Sequence, residues 1–197
     1  MFIYLAIERG KTTMDKIKII ALYGKSSSGK DTMQKFLLKT IKNSHGIVSC
    51  TTRPPRDYEK NGRDYYFLSN EKFAEKVLNG SMLEVTSFRD WMYGTAFEAL
   101  KEDKINIGVF NIEGIECLLQ DNRLQILPIQ IVASDKNRLM RSLNREKNPD
   151  CAEICRRYLA DEKDFSEINF FSLIYDNNGD KCTLDELIAQ TDFLKTE

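Results

Sequence analysis

Apolar positions in this chain fall into short runs separated by amphipathic segments, and the two kinds alternate. Ile17, Ile19 and Ile20 lie in a run over 16–22 that reads as a buried strand, and Met33, Phe36, Leu37 and Ile41 share one side of a helix over 32–42. The alternation returns with a buried strand at 105–110, a helix through Leu119, a strand near 126–132, a last strand at 172–175 and a helix at 184–188. Strands alternating with helices predict an α/β three-layer fold, a parallel central sheet covered on both faces.

Two stretches depart from that rhythm. Over 47–95 short apolar pieces at 47–49, 65–68 and 82–88 alternate with charged turns, and a short helix over 70–78 is closed by Gly80, which predicts a small α/β insertion between core units. Residues 135–163 are highly charged and helical by pattern, with Pro149 breaking two helices. Arg138, Arg141 and Arg145 are spaced three and four apart and are expected on one helix face, followed by Arg156 and Arg157. The expected organisation is an N-terminal extension over 1–16, core over 17–47, the insertion over 48–99, core over 100–134, a helical segment over 135–163 and core over 164–197. Residues before Met14 read as an appendage to a chain able to begin at Met14, close to its first core strand.

The most informative turn is ALYGKSSSGKDT, Ala21 to Thr32, between the first strand and the first helix. Read as G-x-x-x-x-G-K it puts Gly24, Gly29 and Lys30 where a phosphate-binding loop needs them. Tight glycine turns let backbone N–H groups point at phosphate oxygens, the helix N-terminus adds positive charge, and Lys30 reaches the β- and γ-phosphates. Gly24, Lys25, Ser26, Ser27, Ser28, Gly29, Lys30, Asp31 and Thr32 are therefore the candidate site for a nucleoside triphosphate. A Ser or Thr usually follows the lysine and supplies a hydroxyl to Mg²⁺; here Asp31 stands there, then Thr32. A carboxylate holds Mg²⁺ directly or through water, so Asp31 and Thr32 are the candidate metal residues.

Charge and composition narrow the partners. The chain has 197 residues, enough for one ordinary core, and a formal net charge of −1. It lacks the bulk positive field that holds a nucleic-acid backbone, so nucleic acid is not an expected partner and any bound anion must be held by a local cluster. No apolar run approaches the ~18 residues of a membrane span, and no membrane partner is expected. Five cysteines, Cys50, Cys117, Cys151, Cys155 and Cys182, form no C-x-x-C pair, and His45 is the only histidine. They are expected to be reduced structural thiols of a cytoplasmic protein rather than a zinc site.

A second motif lies in VSCTTRPPRDYEKNGRDYYF, Val48 to Phe67. It resembles the segment V-S-x-T-T-R-x-x-R, then G-E, a glycine and D-Y-x-F, of guanylate kinases, matching at Ser49, Thr51, Thr52, Arg53, Arg56, Glu59, Gly62, Asp64, Tyr65 and Phe67. Tyr58 stands where the family has the glycine of its G-E pair. With the phosphate loop, Glu84, the Y-G-T at Tyr93 to Thr95 and the later arginines, the resemblance runs from about Ile17 to the C-terminus. It implies a P-loop nucleoside monophosphate kinase in which 48–99 binds GMP and 135–163 is a helical lid. The implied reaction is Mg²⁺-dependent transfer from ATP to GMP or dGMP.

Two arginines three apart beside a hydroxyl and a tyrosine suit a phosphate monoester, since guanidinium forks bind phosphate bidentately. The resemblance assigns Ser49, Arg53, Arg56, Tyr65 and Tyr93 to the GMP phosphate, Glu84 to guanine N1–H and N2–H₂, and Thr95 to guanine O6. It assigns the charge of the transferring phosphoryl group to Lys30, Arg141, Arg145 and Arg157. The family's D-x-D followed by two residues and a glycine reads here Asn111, Ile112, Glu113, Gly114 after Val109 and Phe110, so both acids are missing. Asn111 can accept from guanine N2 but cannot neutralise a cation, and Asp31 is expected to restore part of that charge. Asp176 and Asn177 stand, in inverted order, at the family's N-D pair beside the adenine. The ending GKDT occurs in some P-loop kinases of nucleoside monophosphates; with Asn111 it keeps open a kinase of broader deoxynucleotide range, while an inactive guanylate-kinase-like interaction module is the alternative from another class. The matched residues do not set the oligomeric state.

Overall fold

The computed structural model describes residues 16–145, 147–178 and 193. At its centre β1 (Ile17–Tyr23) is buried on both faces. Successive side chains of a strand point to opposite faces, so Ile17, Ile19, Ala21 and Tyr23 pack with one cluster, and Ile20 and Leu22 with the other. The second cluster takes Met33 and Leu37 of α1 (Lys30–Thr40), and the first takes Ile115 and Leu118 of α3 (Ile112–Leu119). Helix, sheet and helix are the three layers that the alternating sequence predicts.

The sheet also contains β2 (Ser44–Gly46), β7 (Ile105–Val109), β8 (Leu124–Val132) and β9 (Leu173–Asp176), in the order β2-β7-β1-β8-β9. All its pairings are parallel. β1, in the middle, delivers the phosphate loop at its carboxyl end, where open α/β sheets bind their ligands. Asn106 on β7 is wholly buried and makes up for its polarity with four bonds: it accepts from Lys101 N–H and donates to the carbonyls of Lys101, Lys104 and Lys18.

Between β2 and β7 the chain builds a second sheet. It comprises β3 (Cys50–Thr51), β4 (Tyr66–Phe67), β5 (Met82–Phe88) and β6 (Trp91–Ala96), ordered β4-β3-β6-β5, with α2 (Asn70–Leu78) between β4 and β5 in sequence. Ser69 caps α2 by accepting from Lys72 N–H, and Phe73 is the buried anchor of that helix. After β8 come α4 (Asp135–Leu143) and α5 (Cys151–Asp164), each with a side-chain N-cap, from Ser134 and Asp150.

Several expectations are corrected in detail. The piece 47–49 is not a strand of the insertion: Ile47 joins the main core and its N–H bonds the Ile107 carbonyl, continuing the edge made by β2. β2, of sequence Ser-His-Gly, carries no apolar signal because backbone pairing and the polar side-chain bonds of Ser44 to Ile41 O and His45 to Ala99 O hold it. Arg138, Arg141 and Arg145 do not share a helix face. Asn144 caps α4, Arg145 lies beyond it with its N–H on Ser142 O, and Arg138 is buried rather than solvated. Of the four described cysteines only Cys50 is buried; Cys117, Cys151 and Cys155 are exposed free thiols, so the structural role expected for them holds at one position. The extension before Lys16, Cys182 and the helix expected at 184–188 lie outside the described residues.

Candidate active site

The phosphate loop takes its shape from backbone conformations that side chains resist. Gly24 has φ 150° and Gly29 φ 107°, and Ser27 is left-handed at φ 59°. A Cβ on Gly24 would stand 2.2 Å from the Ile131 carbonyl oxygen, and one on Gly29 2.2 Å from Asn177 Nδ2. Gly29 is also the N-cap of α1 and offers no side chain, so the first turn of that helix has no side-chain acceptor for its N–H groups. That arrangement suits an anion at the helix end. Ser28 Oγ is wholly buried inside the loop with no partner. Lys30 Nζ donates to the carbonyls of Gly24 at 2.8 Å and Lys25 at 3.1 Å. Burial lowers the pKa of Lys30, and Asp31 and Asp161 oppose that shift with their charges.

Three polar residues expected to meet a guanine base adjoin one another. Glu84 on β5 is registered against Thr95 on β6, and Thr95 donates to its carboxylate. Thr95 is wholly buried and its hydroxyl lies 3.0 Å from Ser49 Oγ. Burial raises the Glu84 pKa, and the bonds from Thr95 only partly offset it. A Cβ added to Gly114 would lie 2.9 Å from Asn111 Oδ1 and 3.2 Å from Glu84 Oε2, so the carboxylate and the amide flank the start of α3. Asn111 Oδ1 already accepts Gly114 N–H at 2.8 Å as the N-cap of α3. Its local role is helix capping, which the family comparison of that position did not anticipate.

Beside them the phosphate-type cluster is organised by Glu59. Its Oε1 accepts from Arg53 Nη2 at 2.9 Å and its Oε2 from Arg56 N–H at 2.8 Å. Burial raises the Glu59 pKa, but the Arg53 bond and the Arg56 N–H outweigh it and hold the group ionised. Arg53 also donates to Pro54 O and to Tyr93, and its guanidinium lies 5.7 Å from the ring centres of both Tyr65 and Phe67. Tyr65 meets Tyr93 edge to face at 6.0 Å, and burial is the main reason its pKa is pushed up to about 12. Arg56 Nη1 rests on the hydroxyl of Tyr58, the residue that replaces a glycine of the motif. Glu59 was matched in the motif without a role; the signal was its spacing, six residues after Arg53 and three after Arg56.

A cavity of about 580 Å³ opens between this sheet and α5, and Arg53, Arg56, Trp91, Tyr93, Glu153 and Arg157 are among its walls. Glu153 accepts from Arg156 Nε at 2.8 Å and Arg157 Nε at 2.7 Å, and from Arg89 at the tip of the β5–β6 hairpin. The Arg156 bond, followed by the Arg157 bond, lowers its pKa to about 2. Arg141 instead reaches back to the phosphate loop, donating to Ser28 O at 3.1 Å and Asn177 O at 2.7 Å. Asn177 Nδ2 donates to the same Ser28 carbonyl. Arg145 is exposed, close enough for its charge to act on Lys30. Asp31 and Thr32 are exposed at the mouth of α1, and the charge of Asp31 is felt at Tyr65 across the cleft. Among the described residues no three His, Cys, Asp or Glu side chains gather as metal ligands, so a cation here would need oxygens from a bound phosphate or water. No described helix is long and apolar enough to cross a membrane.

Comparison with known proteins follows the same outline. A family model described as guanylate kinase matches residues 16–191. The guanylate kinase of Prochlorococcus marinus (strain MIT 9312) is 32% identical over 167 residues, covering 82% of this chain and 90% of its own. That of Helicobacter hepaticus is 26% identical over 186 residues, 92% of this chain and 93% of the relative. The guanylate kinase of a Nostoc species is 41% identical, over 99 residues that make up 49% of this chain and 50% of that protein. In three dimensions, the crystal structure of guanylate kinase from Anaplasma phagocytophilum superposes with a TM-score of 0.61 over 90% of this chain and 84% of its own, at 19% identity, which is a likeness of fold.

Proposed function

Because the chain belongs to the guanylate kinase family, we propose that it transfers the γ-phosphoryl group of ATP to GMP or dGMP, giving ADP and GDP or dGDP. The observation that carries the acceptor assignment is Glu84, a buried carboxylate braced by Thr95 and linked through it to Ser49. A carboxylate accepts from guanine N1–H and N2–H₂, whereas the edge of adenine offers no such pair of donors. Thr95 turns its one hydroxyl proton from Glu84 to guanine O6 while its backbone N–H stays on the carboxylate, and Asn111 keeps a second lone pair for N2. Ser49, Arg53, Arg56, Tyr65 and Tyr93 hold the 5′-phosphate, with Glu59 keeping Arg53 in place.

The donor lies in the loop from Gly24 to Thr32, with Lys30 exchanging its loop carbonyls for phosphate oxygens. An acceptor phosphate oxygen attacks the γ-phosphorus in line and ADP leaves; positioning and electrostatics carry this chemistry. Lys30, Arg141, Arg145 and Arg157 neutralise the charge of the transferring group. The lid excludes water that would otherwise take the phosphoryl group. Asp31 and Thr32 present oxygen donors at the phosphate end of the loop, which fits Mg²⁺, a cation that keeps several waters and binds through one or two carboxylates and substrate phosphates. When bound, Mg²⁺ supplies charge neutralisation at the β- and γ-phosphates. A coupled assay of ADP release, run with each nucleoside monophosphate in turn, tests the proposal. Turnover confined to GMP and dGMP is the expected result. Equal turnover of AMP or CMP overturns the guanine assignment and favours the broader kinase, and no turnover with any acceptor favours the inactive module.

A further inference from the structure

Arg138 and Asp161 form a charged pair to which phosphoryl transfer assigns no task, yet they are 2% and 8% exposed. They come from different helices, α4 and α5, bond each other, and converge on one residue of the phosphate loop. Asp161 Oδ2 accepts the Ser26 backbone N–H at 2.8 Å, and Oδ1 accepts the Ser26 hydroxyl at 3.1 Å. Arg138 Nε donates to the Ser26 carbonyl at 3.0 Å. The lid thus holds the N–H, the hydroxyl and the carbonyl of the third residue of the loop. Arg138 is itself fixed by Asp135 at 2.9 Å and by the ring of Tyr158, 4.8 Å from its guanidinium carbon.

Stability gives a weak reason for the arrangement, because a buried ion pair gains little over an apolar pair of similar volume. Geometry gives a stronger one. Ser26 lies between Gly24 and the left-handed Ser27, where the chain turns so that the following N–H groups and Lys30 face inward. The loop's own bonds run from Ser28 N–H to Lys25 O and from Lys30 to the Gly24 and Lys25 carbonyls, whereas all three polar groups of Ser26 are held from α4 and α5.

We propose that Arg138 and Asp161 are positioning residues for the donor nucleotide, transmitting the position of the lid to the phosphate loop through Ser26. The identity of that nucleotide rests on the kinase reading above; the contacts do not. Titration of the full-length chain with a fluorescent ATP analogue and Mg²⁺, beside the GMP KM and the melting temperature, tests it. Asp161→Asn keeps the shape but turns an N–H₂ toward one of the three donors. Its ATP affinity is expected to weaken about tenfold while the GMP KM stays within about twofold. In the double variant Arg138→Met with Asp161→Leu, the melting temperature is expected to return to near the wild-type value, with ATP affinity still about tenfold weak. Recovery of ATP affinity along with the melting temperature makes the pair merely structural and overturns the proposal. Wild-type ATP affinity in Asp161→Asn, or an equal weakening for ATP and GMP, overturns it as well, and this variant decides the matter if the double variant does not fold. A wild-type chain that binds the ATP analogue in the same loop but phosphorylates no GMP refutes the kinase reading and leaves this proposal standing on its binding data.

Discussion

Glu84, the carboxylate proposed to read guanine, carries a cost in stability. Its folded pKa is raised above the ordinary carboxylate value, so the neutral acid is favoured in the fold and the charged form at neutral pH carries a desolvation penalty. For an acid shifted upward, the favourable contribution is complete below the unfolded pKa and is lost as pH rises through the folded one. Glu84→Gln should therefore melt higher than wild type at pH 7.5, with the gap closing as pH falls below the carboxylate range. The same variant should raise the GMP KM by an amount equivalent to ~1–3 kcal/mol, since one base donor loses its acceptor. An unchanged KM removes Glu84 from guanine recognition. In the wild type, the KM should rise as pH falls through the raised Glu84 pKa, because the protonated acid accepts poorly. Lys30→Ala should abolish transfer yet leave GMP binding by calorimetry nearly intact, because the ammonium of Lys30 hydrogen-bonds to carbonyls of its own loop and not to the Arg53, Glu59 and Glu84 cluster. Weakened GMP binding in that variant contradicts separate donor and acceptor subsites. Asp31→Ser should slow turnover and raise the Mg²⁺ requirement. Adding Asn111→Asp should restore part of it without loss of stability, since Asp caps a helix as well as Asn does. Strict additivity of the two changes in log kcat shows that the two positions do not share the cation.

At the scale of elements, α5 holds a paired carboxylate near each end, Glu153 and Asp161. Near its start Glu153 gathers Arg89, Arg156 and Arg157, linking the β5–β6 hairpin to α5. Because its folded pKa is depressed to about 2, its contribution is present above the unfolded glutamate value of ~4.3 and fades as pH falls from there. The melting temperature of Glu153→Gln should lie below that of wild type at pH 6, and the two should converge between about pH 4.3 and pH 2. Curves that stay parallel over that range mean the carboxylate charge contributes nothing. The arginines of the 135–163 segment were visible as a spacing, but the spacing misassigned their faces. Arg141 turned inward to loop carbonyls, Arg145 fell past the cap at Asn144, and Arg138 was buried against Asp161, whose partner role no local pattern marks. A periodic pattern records which residues are neighbours on a helix and leaves open which neighbour from another helix meets them.

Across the whole molecule the cavity between the second sheet and α5 is where motion should be read. Trp91, the only tryptophan, lines it beside Arg53 and Tyr93. Its fluorescence should titrate with GMP and dGMP, respond weakly to AMP or CMP, and lose its response in Arg53→Ala. A folded protein whose tryptophan ignores every monophosphate argues against closure over the acceptor. Local chemistry in the chain was enough to specify the three layers, because β1 alternates between two buried faces and α1 and α3 repeat at helical spacing. The G-x-x-x-x-G-K spacing was also enough to locate the phosphate loop, since Gly24 and Gly29 stand at left-handed backbone positions that favour glycine. Long-range packing settled what the chain could not show along its length. β2 is held by backbone pairing and polar side-chain bonds and leaves no apolar trace, Glu59 has meaning only once the turn folds it back onto Arg53 and Arg56, and Ser26 meets Asp161 across 135 residues. Hydrophobic periodicity and turn chemistry act between residues a few positions apart and so can be read in order. A buried ion pair gripping a loop depends on where two helices come to rest, and that follows from the packing of the entire core.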